Sequence, residues 1–263
     1  MGTLGTIVRD AEARAARLDT VRDYLAAQAE ATLPGPSLER ALRMGSVTLL
    51  AEVKRRSPSK GPIAESLDAA GQARAYVDGG AAGVSVLTEP DHFGGSIADL
   101  EQVCAAIAIP VLKKDFHVAP AQLLEARAFG ASAALLIVRA LSPARFEELV
   151  DYGRALGLEL LIEVRDEEEL ARALAVGATM IGVNNRNLET LEIDQGTAER
   201  LIPRVPASVV AIAESGVRTR MDVERYAACG ADAVLVGSVL SAAADPAAAA
   251  RSLGGVARRT RGG

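Results

Sequence analysis

Tryptophan is missing from this 263-residue chain, aromatic residues make up only 3% of it, and cysteine and histidine occur twice each. Each scarcity removes a class of protein. Cys104 and Cys229 cannot build a disulfide framework, and both sit in apolar helical contexts, so they are expected as buried free thiols in a reducing compartment. His92 and His117 lack the Cys/His spacing of a metal site, so no metal is expected. No flavin, nicotinamide or pyridoxal signature appears, and no cofactor is expected. Positive charge is in deficit: 29 Lys and Arg against 34 Asp and Glu leave a net charge of −5. That excludes a general nucleic-acid binder, because no dominant positive field would drive counterion release. The basic C-terminal "ARRTRGG" is expected as a solvated tail. The apolar runs all fall short of a membrane span. Asp10, Glu12, Asp19 and Asp23 argue against a transit peptide in the Ala- and Arg-rich N-terminus. The expectation is a soluble, cytoplasmic monomer with neither a membrane nor a nucleic-acid partner.

What is present is a repeat. "GGAAGVSVL", "FGASAALLI", "VGATMIGV" and "CGADAVLVG" each run from glycine through alanine into a short apolar stretch. Glycine fits the left-handed position that ends a helix, and the stretch after it has the length of a strand. Gly80, Gly130, Gly177 and Gly230 are 50, 47 and 53 residues apart, and each interval holds one more such run: "IPVLKKD", "LELLIEV" and "ASVVAIAE". The unit is therefore roughly 25 residues, a βα length. Eight strands are predicted, at 48–53, 83–87, 110–114, 133–138, 158–164, 178–184, 208–214 and 232–237. Their continuous apolar character suits parallel strands covered on both faces. Ser142-Pro143 and Asp245-Pro246 place a cap before a helix-starting proline, Asp166 with Glu169 fits a capping box, and Ile97, Leu100, Cys104 and Ile107 share one helical face. The fold class is α/β, a (β/α)8 TIM barrel. A doubly wound open sheet is the alternative, but no G-x-G-x-x-G follows the first strand.

Residues 1–46 lie outside the repeat and form a helical N-terminal extension; 47–254 are the barrel and 255–263 the basic tail. Leu4, Ile7, Val8, Ala11 and Leu18 follow a helical stripe, broken at "LPGPS". The stripe fits a helix packed across the barrel or a lid at its mouth, and the pattern alone leans to the first.

Polar residues fall at strand ends. Residues two apart on a strand face the same way, so Glu52 and Lys54 share a face at the end of the first strand. Lys114, Glu163, Asn184 and Glu214 end the third, fifth, sixth and seventh. Any one of these could simply emerge into water. Five strands converging on the rim where this fold builds active sites favour function. Lysine and glutamate would then act as acid, base or electrostatic clamp. Ser215 and Gly216 in "AESGV", with Gly237 and Ser238 in "LVGSVLSAA", lie in the last two loops, where such barrels hold phosphate. His117 could reach the mouth, but a loop or packing role fits its context better.

"AEVKRRSPSKG", "LTEPDHFGGS", "VLKKDF", "LLIEVRDEEEL", "IGVNNRNLETLEID", "IAESGV" and "VLVGSVL" occur in that order. Together they resemble the indole-3-glycerol phosphate synthase family over residues 46–240, and more loosely over the N-terminus. The resemblance implies a carboxy-lyase of tryptophan biosynthesis acting on a phosphorylated small molecule, 1-(2-carboxyphenylamino)-1-deoxyribulose 5-phosphate, without a cofactor. It implies that Lys114 is the general acid, that Glu163 does acid–base work, and that Glu52 and Lys54 act around the carboxylate and the ring-closing centre. Asn184, Glu214 and Ser215 would complete the polar site. Ser57, Phe93, Arg186, Gly216, Gly237 and Ser238 would contact substrate or its phosphate. Arg55 and Arg56 would be mostly solvated, and the turn from Ser57 to Gly61 would bring its loop back over the substrate.

Three departures from the family pattern stand out: "HVAPAQ" puts His117 after "KKDF" and lacks an acid, Arg139 stands where a small residue is expected, and "SLERAL" lacks an aromatic before the first strand. They bear on a helix cap, a mouth-lining position and the docking of the extension. Two other classes remain open on residues alone. A strand-end lysine among carboxylates could form a Schiff base, and a barrel could keep a phosphate site for binding without turnover.

Overall fold

The protein is described as a computed structural model covering residues 3–262. Its eight barrel strands are β1 (Ser46–Val53), β2 (Gly83–Leu87), β3 (Val111–Lys114), β4 (Ala133–Ile137), β5 (Glu159–Val164), β6 (Met180–Asn184), β7 (Val210–Glu214) and β8 (Ala233–Val236). Each pairs in parallel with the next, and β8 returns to β1 with Leu50 opposite Leu235, so the sheet closes into the predicted (β/α)8 barrel. All eight strands fall within two residues of their predicted bounds. Gly80, Gly130, Gly177 and Gly230 all have positive φ, between 69° and 90°, so the repeated glycine does end each helix in the left-handed conformation.

Local caps follow the sequence. Ser142 accepts from the Arg145 amide and Asp245 from the Ala248 amide, each ahead of a proline in the first turn. Asp166 accepts from the Glu169 amide, but Glu169 reaches back to the Arg165 amide, one residue beyond the position a capping box would use. After β3, Gln122 replaces the missing acid: its Oε1 accepts from the Val118 and Ala119 amides at 2.8 and 3.1 Å. Arg139 turns from the mouth to pair with Asp166 and Glu169.

The N-terminal extension runs the height of the barrel. α1 (Thr3–Asp19) lies at the mouth, where Ile7 lines the cavity and Arg14 meets Glu89 and Asp115, just beyond β2 and β3. α1 therefore packs across the mouth end of the barrel. α2 (Arg22–Ala31) descends the outside, packing Leu25 and Ala29 on Leu124 and Ala128. α3 (Leu38–Leu42) seats at the opposite end, with Ser37 Oγ donating to Glu159 at the start of β5. Leu38 and Leu42 are fully buried there and supply apolar docking without an aromatic. Leu38→Ala is expected to cost about 2–5 kcal/mol of stability by leaving a cavity, measurable by urea unfolding; a loss below about 1 kcal/mol would show that α3 is not a structural plug.

Three solvation expectations are corrected. Val256–Ala257 pairs antiparallel with the start of β1, and the buried Arg261 side chain donates to the Val205 carbonyl at 3.1 Å and pairs with Asp232 at 2.8 Å, so the tail is partly packed. Backbone carbonyls and a carboxylate left by the barrel's closing strands draw it in. Arg55 pairs with Asp99 and donates to the Leu67 carbonyl, leaving Arg56 as the exposed member of the pair. Cys104 and Cys229 are free as expected but partly exposed rather than buried. Burial of the Cys104 sulfur still pushes its thiol up to about 12.

Candidate active site

All thirteen residues singled out in the sequence line one cavity at the C-terminal mouth: Glu52, Lys54, Ser57, Phe93, Lys114, Glu163, Asn184, Arg186, Glu214, Ser215, Gly216, Gly237 and Ser238. Strand alternation accounts for this. Each polar strand-end residue continues the interior face of its strand, as Glu52 continues Leu50 and Glu163 continues Leu161.

Lys114 is at the centre. Its Nζ lies 3.4 Å from Glu163 Oε2 and 3.6 Å from Glu214 Oε2. Burial alone would favour the neutral amine, but the fields of Glu163, Glu214 and Glu52 outweigh it and raise the Lys114 pKa above the ordinary lysine value. Asn184 Nδ2 donates to Glu163 Oε1 at 2.9 Å, so the second carboxyl oxygen is held toward Lys114. Lys54 Nζ pairs with Glu52 Oε2 at 2.5 Å and stands 5.9 Å from the centre of the Phe93 ring, which itself packs against Phe116.

Glu214 is strongly perturbed. Burial raises its pKa first; Lys114 opposes the shift, and repulsion from Glu163 and Glu52 adds to it, leaving it at about 8. The folded protein thus holds this proton more tightly than the unfolded chain, whose carboxyl titrates near 4.5. The stabilising contribution is complete below 4.5 and is lost as pH rises through about 8. Thermal melting should show Glu214→Gln gaining on the unsubstituted protein across that window; a constant difference in Tm would refute a raised Glu214 pKa.

The walls are apolar on one side and rich in backbone turns on the other. Leu188, Leu191 and Ile193 come from the loop after β6, folded on itself by a bridge between Arg186 and Ile193. Leu191 has a φ of 64°, unusual for a branched side chain, and its carbonyl accepts from Arg186 Nη1 at 2.7 Å. Arg186 therefore also braces this loop, and burial lowers its pKa. Ser215 and Gly216 both have positive φ. Gly237 precedes a short helix, Ser238–Ser241, directly after β8. The strand pair Arg56–Ser57 with Gly61–Pro62 folds Ser57, Pro58, Ser59 and Lys60 to the cavity edge.

His117 is not in the cavity. It is buried behind β3, with Nδ1 2.7 Å from the Leu135 carbonyl, and burial followed by the Lys113 charge depresses its pKa to about 3. The packing role holds. Residues that sequence reasoning passed over also shape the site. Ser241 Oγ accepts from the Lys54 amide and donates to the Glu52 carbonyl, clasping the end of β1 from the short helix after β8. An ideal Cβ on Gly182 would collide with Glu214 Oε1, and one on Gly237 with Glu52 Oε2, so both glycines make room for carboxyls. The glycine within the β6 apolar run was the available signal. No group of three or more potential metal ligands occurs among the described residues.

A family model described as "Indole-3-glycerol phosphate synthase" matches residues 5–253. Among curated relatives, indole-3-glycerol phosphate synthase 1 of Streptomyces coelicolor is 51% identical over 231 residues, covering 88% of this chain and 86% of that protein. The Rhodococcus jostii protein, named indole-3-glycerol phosphate synthase, is 46% identical over 255 residues, covering 96% and 95%. Among solved structures, a thiamine phosphate pyrophosphorylase from Pyrococcus furiosus aligns with a TM-score of 0.59 at 15% identity, covering 81% of this chain and 95% of that one. That last likeness concerns the fold alone.

Proposed function

The chain belongs to the indole-3-glycerol phosphate synthase family, and on that premise we propose how its residues divide the work. The family's reaction is decarboxylative ring closure of 1-(2-carboxyphenylamino)-1-deoxyribulose 5-phosphate to indole-3-glycerol phosphate, with release of CO2 and water. The ring carbon bearing the carboxylate bonds to the sugar ketone carbon, the ketone oxygen becomes a hydroxyl, CO2 leaves, and the hydroxyl then departs as water.

One observation carries the assignment: Lys114 Nζ stands between Glu163 and Glu214 at the floor of the mouth. As the ring closes, negative charge develops on the ketone oxygen, and a preorganised cation stabilises it. Lys114 is that cation and the proton donor, kept charged by the surrounding carboxyls. Dehydration needs an acid for the leaving hydroxyl and a base for the ring proton. Glu163, oriented by Asn184, takes the acid–base part at that step. Lys54, set by Glu52, faces the substrate carboxylate, with Phe93 and Leu188 against the aromatic ring. Ser215, Gly216, Gly237 and Ser238 receive the phosphate, and Ser57 and Arg186 complete the substrate contacts.

The same proposal takes residues 1–46 as an extension serving the mouth, 47–254 as the catalytic barrel and 255–263 as a tail. It places a monomer in the cytoplasm, without nucleic-acid or membrane partners. In support, no helix of the described residues is long and apolar enough to cross a membrane, and the net charge is −5. The chain contains no tryptophan, so product is read directly. Adding substrate to purified protein should produce growing indole fluorescence together with CO2. Folded protein that yields neither would overturn the reading.

A further inference from the structure

The mouth holds a charged network that the catalytic roles do not use. Arg14, on α1, splits its guanidinium between two buried carboxylates: Nη1 donates to Glu89 Oε1 at 3.0 Å and Nη2 to Asp115 Oδ1 at 2.9 Å. Both acceptors sit next to site residues. Asp115 follows Lys114 directly, and its other oxygen accepts from Thr88 Oγ1 at 2.7 Å, joining the ends of β2 and β3. Burial works against the Asp115 charge, but Lys113, His117 and Arg14 together hold its pKa below the usual range.

Glu89 is 1% exposed and caps the four-residue helix Pro90–Phe93. It accepts from the Asp91 amide at 3.2 Å, the His92 amide at 2.7 Å and the Phe93 amide at 3.0 Å. The carboxylate that takes Arg14 is thus the one that fixes the backbone of Phe93. Phe93 in turn lies against Lys54. A second tie, His92 Nε2 to Asp10 at 2.9 Å, joins the same short helix to α1, and Ile7 of α1 lines the cavity. Ion pairs on an exposed surface do little. These carboxylates are desolvated, and a two-pronged guanidinium contact fixes direction as well as distance.

We propose that Arg14 is a positioning residue for ring closure: through Glu89 it sets the placement of Phe93, and with it the aromatic wall over Lys54. The proposal rests on the synthase reading above. Arg14 touches no reacting atom, and its effect should appear as weaker productive binding of the aromatic substrate, with KM raised more than kcat is lowered.

A double-mutant cycle tests this. Arg14→Met and Phe93→Leu should each lower kcat/KM about tenfold or more, as misplaced binding groups do. The double variant should lose no more than about threefold beyond Phe93→Leu alone, because residues acting through one another are not additive. Arg14→Lys, which keeps the charge but not the fork, should fall between the unsubstituted protein and Arg14→Met, and serves as the test variant should Arg14→Met fail to fold. Multiplying losses in the double variant, or an Arg14 variant within twofold of the unsubstituted enzyme, would overturn the positioning role while leaving the synthase reading intact. An inactive unsubstituted enzyme would instead strike the synthase reading.

Discussion

Lys114→Ala is expected to lower kcat by about 10²–10³, the usual loss for one preorganised group facing developing charge. The expectation follows from crowding as much as from identity. Glu163 and Glu214 flank the ammonium at 3.4 and 3.6 Å, and the field of Glu52 reaches it too. Lys54 is committed to Glu52 at 2.5 Å and Arg186 to the Leu191 carbonyl at 2.7 Å, so neither stands ready at the Lys114 position. Removing the ammonium also leaves acidic groups facing one another, which should raise the Glu214 pKa further. The barrel should survive, because β3 is held by backbone pairing with β2 and β4 rather than by this side chain. The measurement is initial rate by indole fluorescence beside thermal melting. A folded variant within tenfold of the unsubstituted rate would remove Lys114 from its role.

The barrel was legible because its signals are local. A left-handed glycine, an apolar run and a polar strand end lie within a dozen residues of one another, and strand alternation then decides which side chains share the interior. Converging Glu52, Lys114, Glu163, Asn184 and Glu214 needed no knowledge of tertiary contacts beyond closure of the ring. What stayed hidden is long-range. The stripe of Leu4, Ile7 and Ala11 reports that α1 has an apolar face but not which surface covers it. Arg14 reads as one more exposed helical arginine, since its partners are 75 and 101 residues away. Arg55 and Arg261 differ from expectation for the same reason: basic residues near chain ends and in loops are ordinarily solvated, and only packing of the neighbouring β1 and β2 units brings Asp99 to Arg55, and docking of the tail brings Asp232 to Arg261. His117 shows the converse. Its context favoured a loop or packing role over the mouth, and the buried ring meets the Leu135 carbonyl accordingly.

Gly182→Ala is expected to be nearly as damaging to turnover as loss of a catalytic group, although Gly182 has no side chain with which to react. On β6 it lies opposite Glu163 of β5 and Ile212 of β7. An added Cβ would meet Glu214 Oε1 in direct collision, with Glu214 Cδ at 2.9 Å and Leu161 Cδ1 at 3.4 Å. Glu214 is buried, and that same Oε1 has no hydrogen-bond partner, so its carboxyl must move bodily, away from Lys114 or into Glu163. A displacement of about 1 Å at a reacting centre can cost about 10²-fold in rate, and overpacking of this kind typically costs about 1–3 kcal/mol of stability. Gly45→Ala is the matched control, since nothing lies within 4 Å of a Cβ there. If displacement of Glu214 is the cause, combining Gly182→Ala with Glu214→Ala should be no slower than Glu214→Ala alone, because the colliding carboxyl is gone. A Gly182→Ala enzyme within twofold of the unsubstituted rate would show that the space beside Glu214 is not what holds it against Lys114.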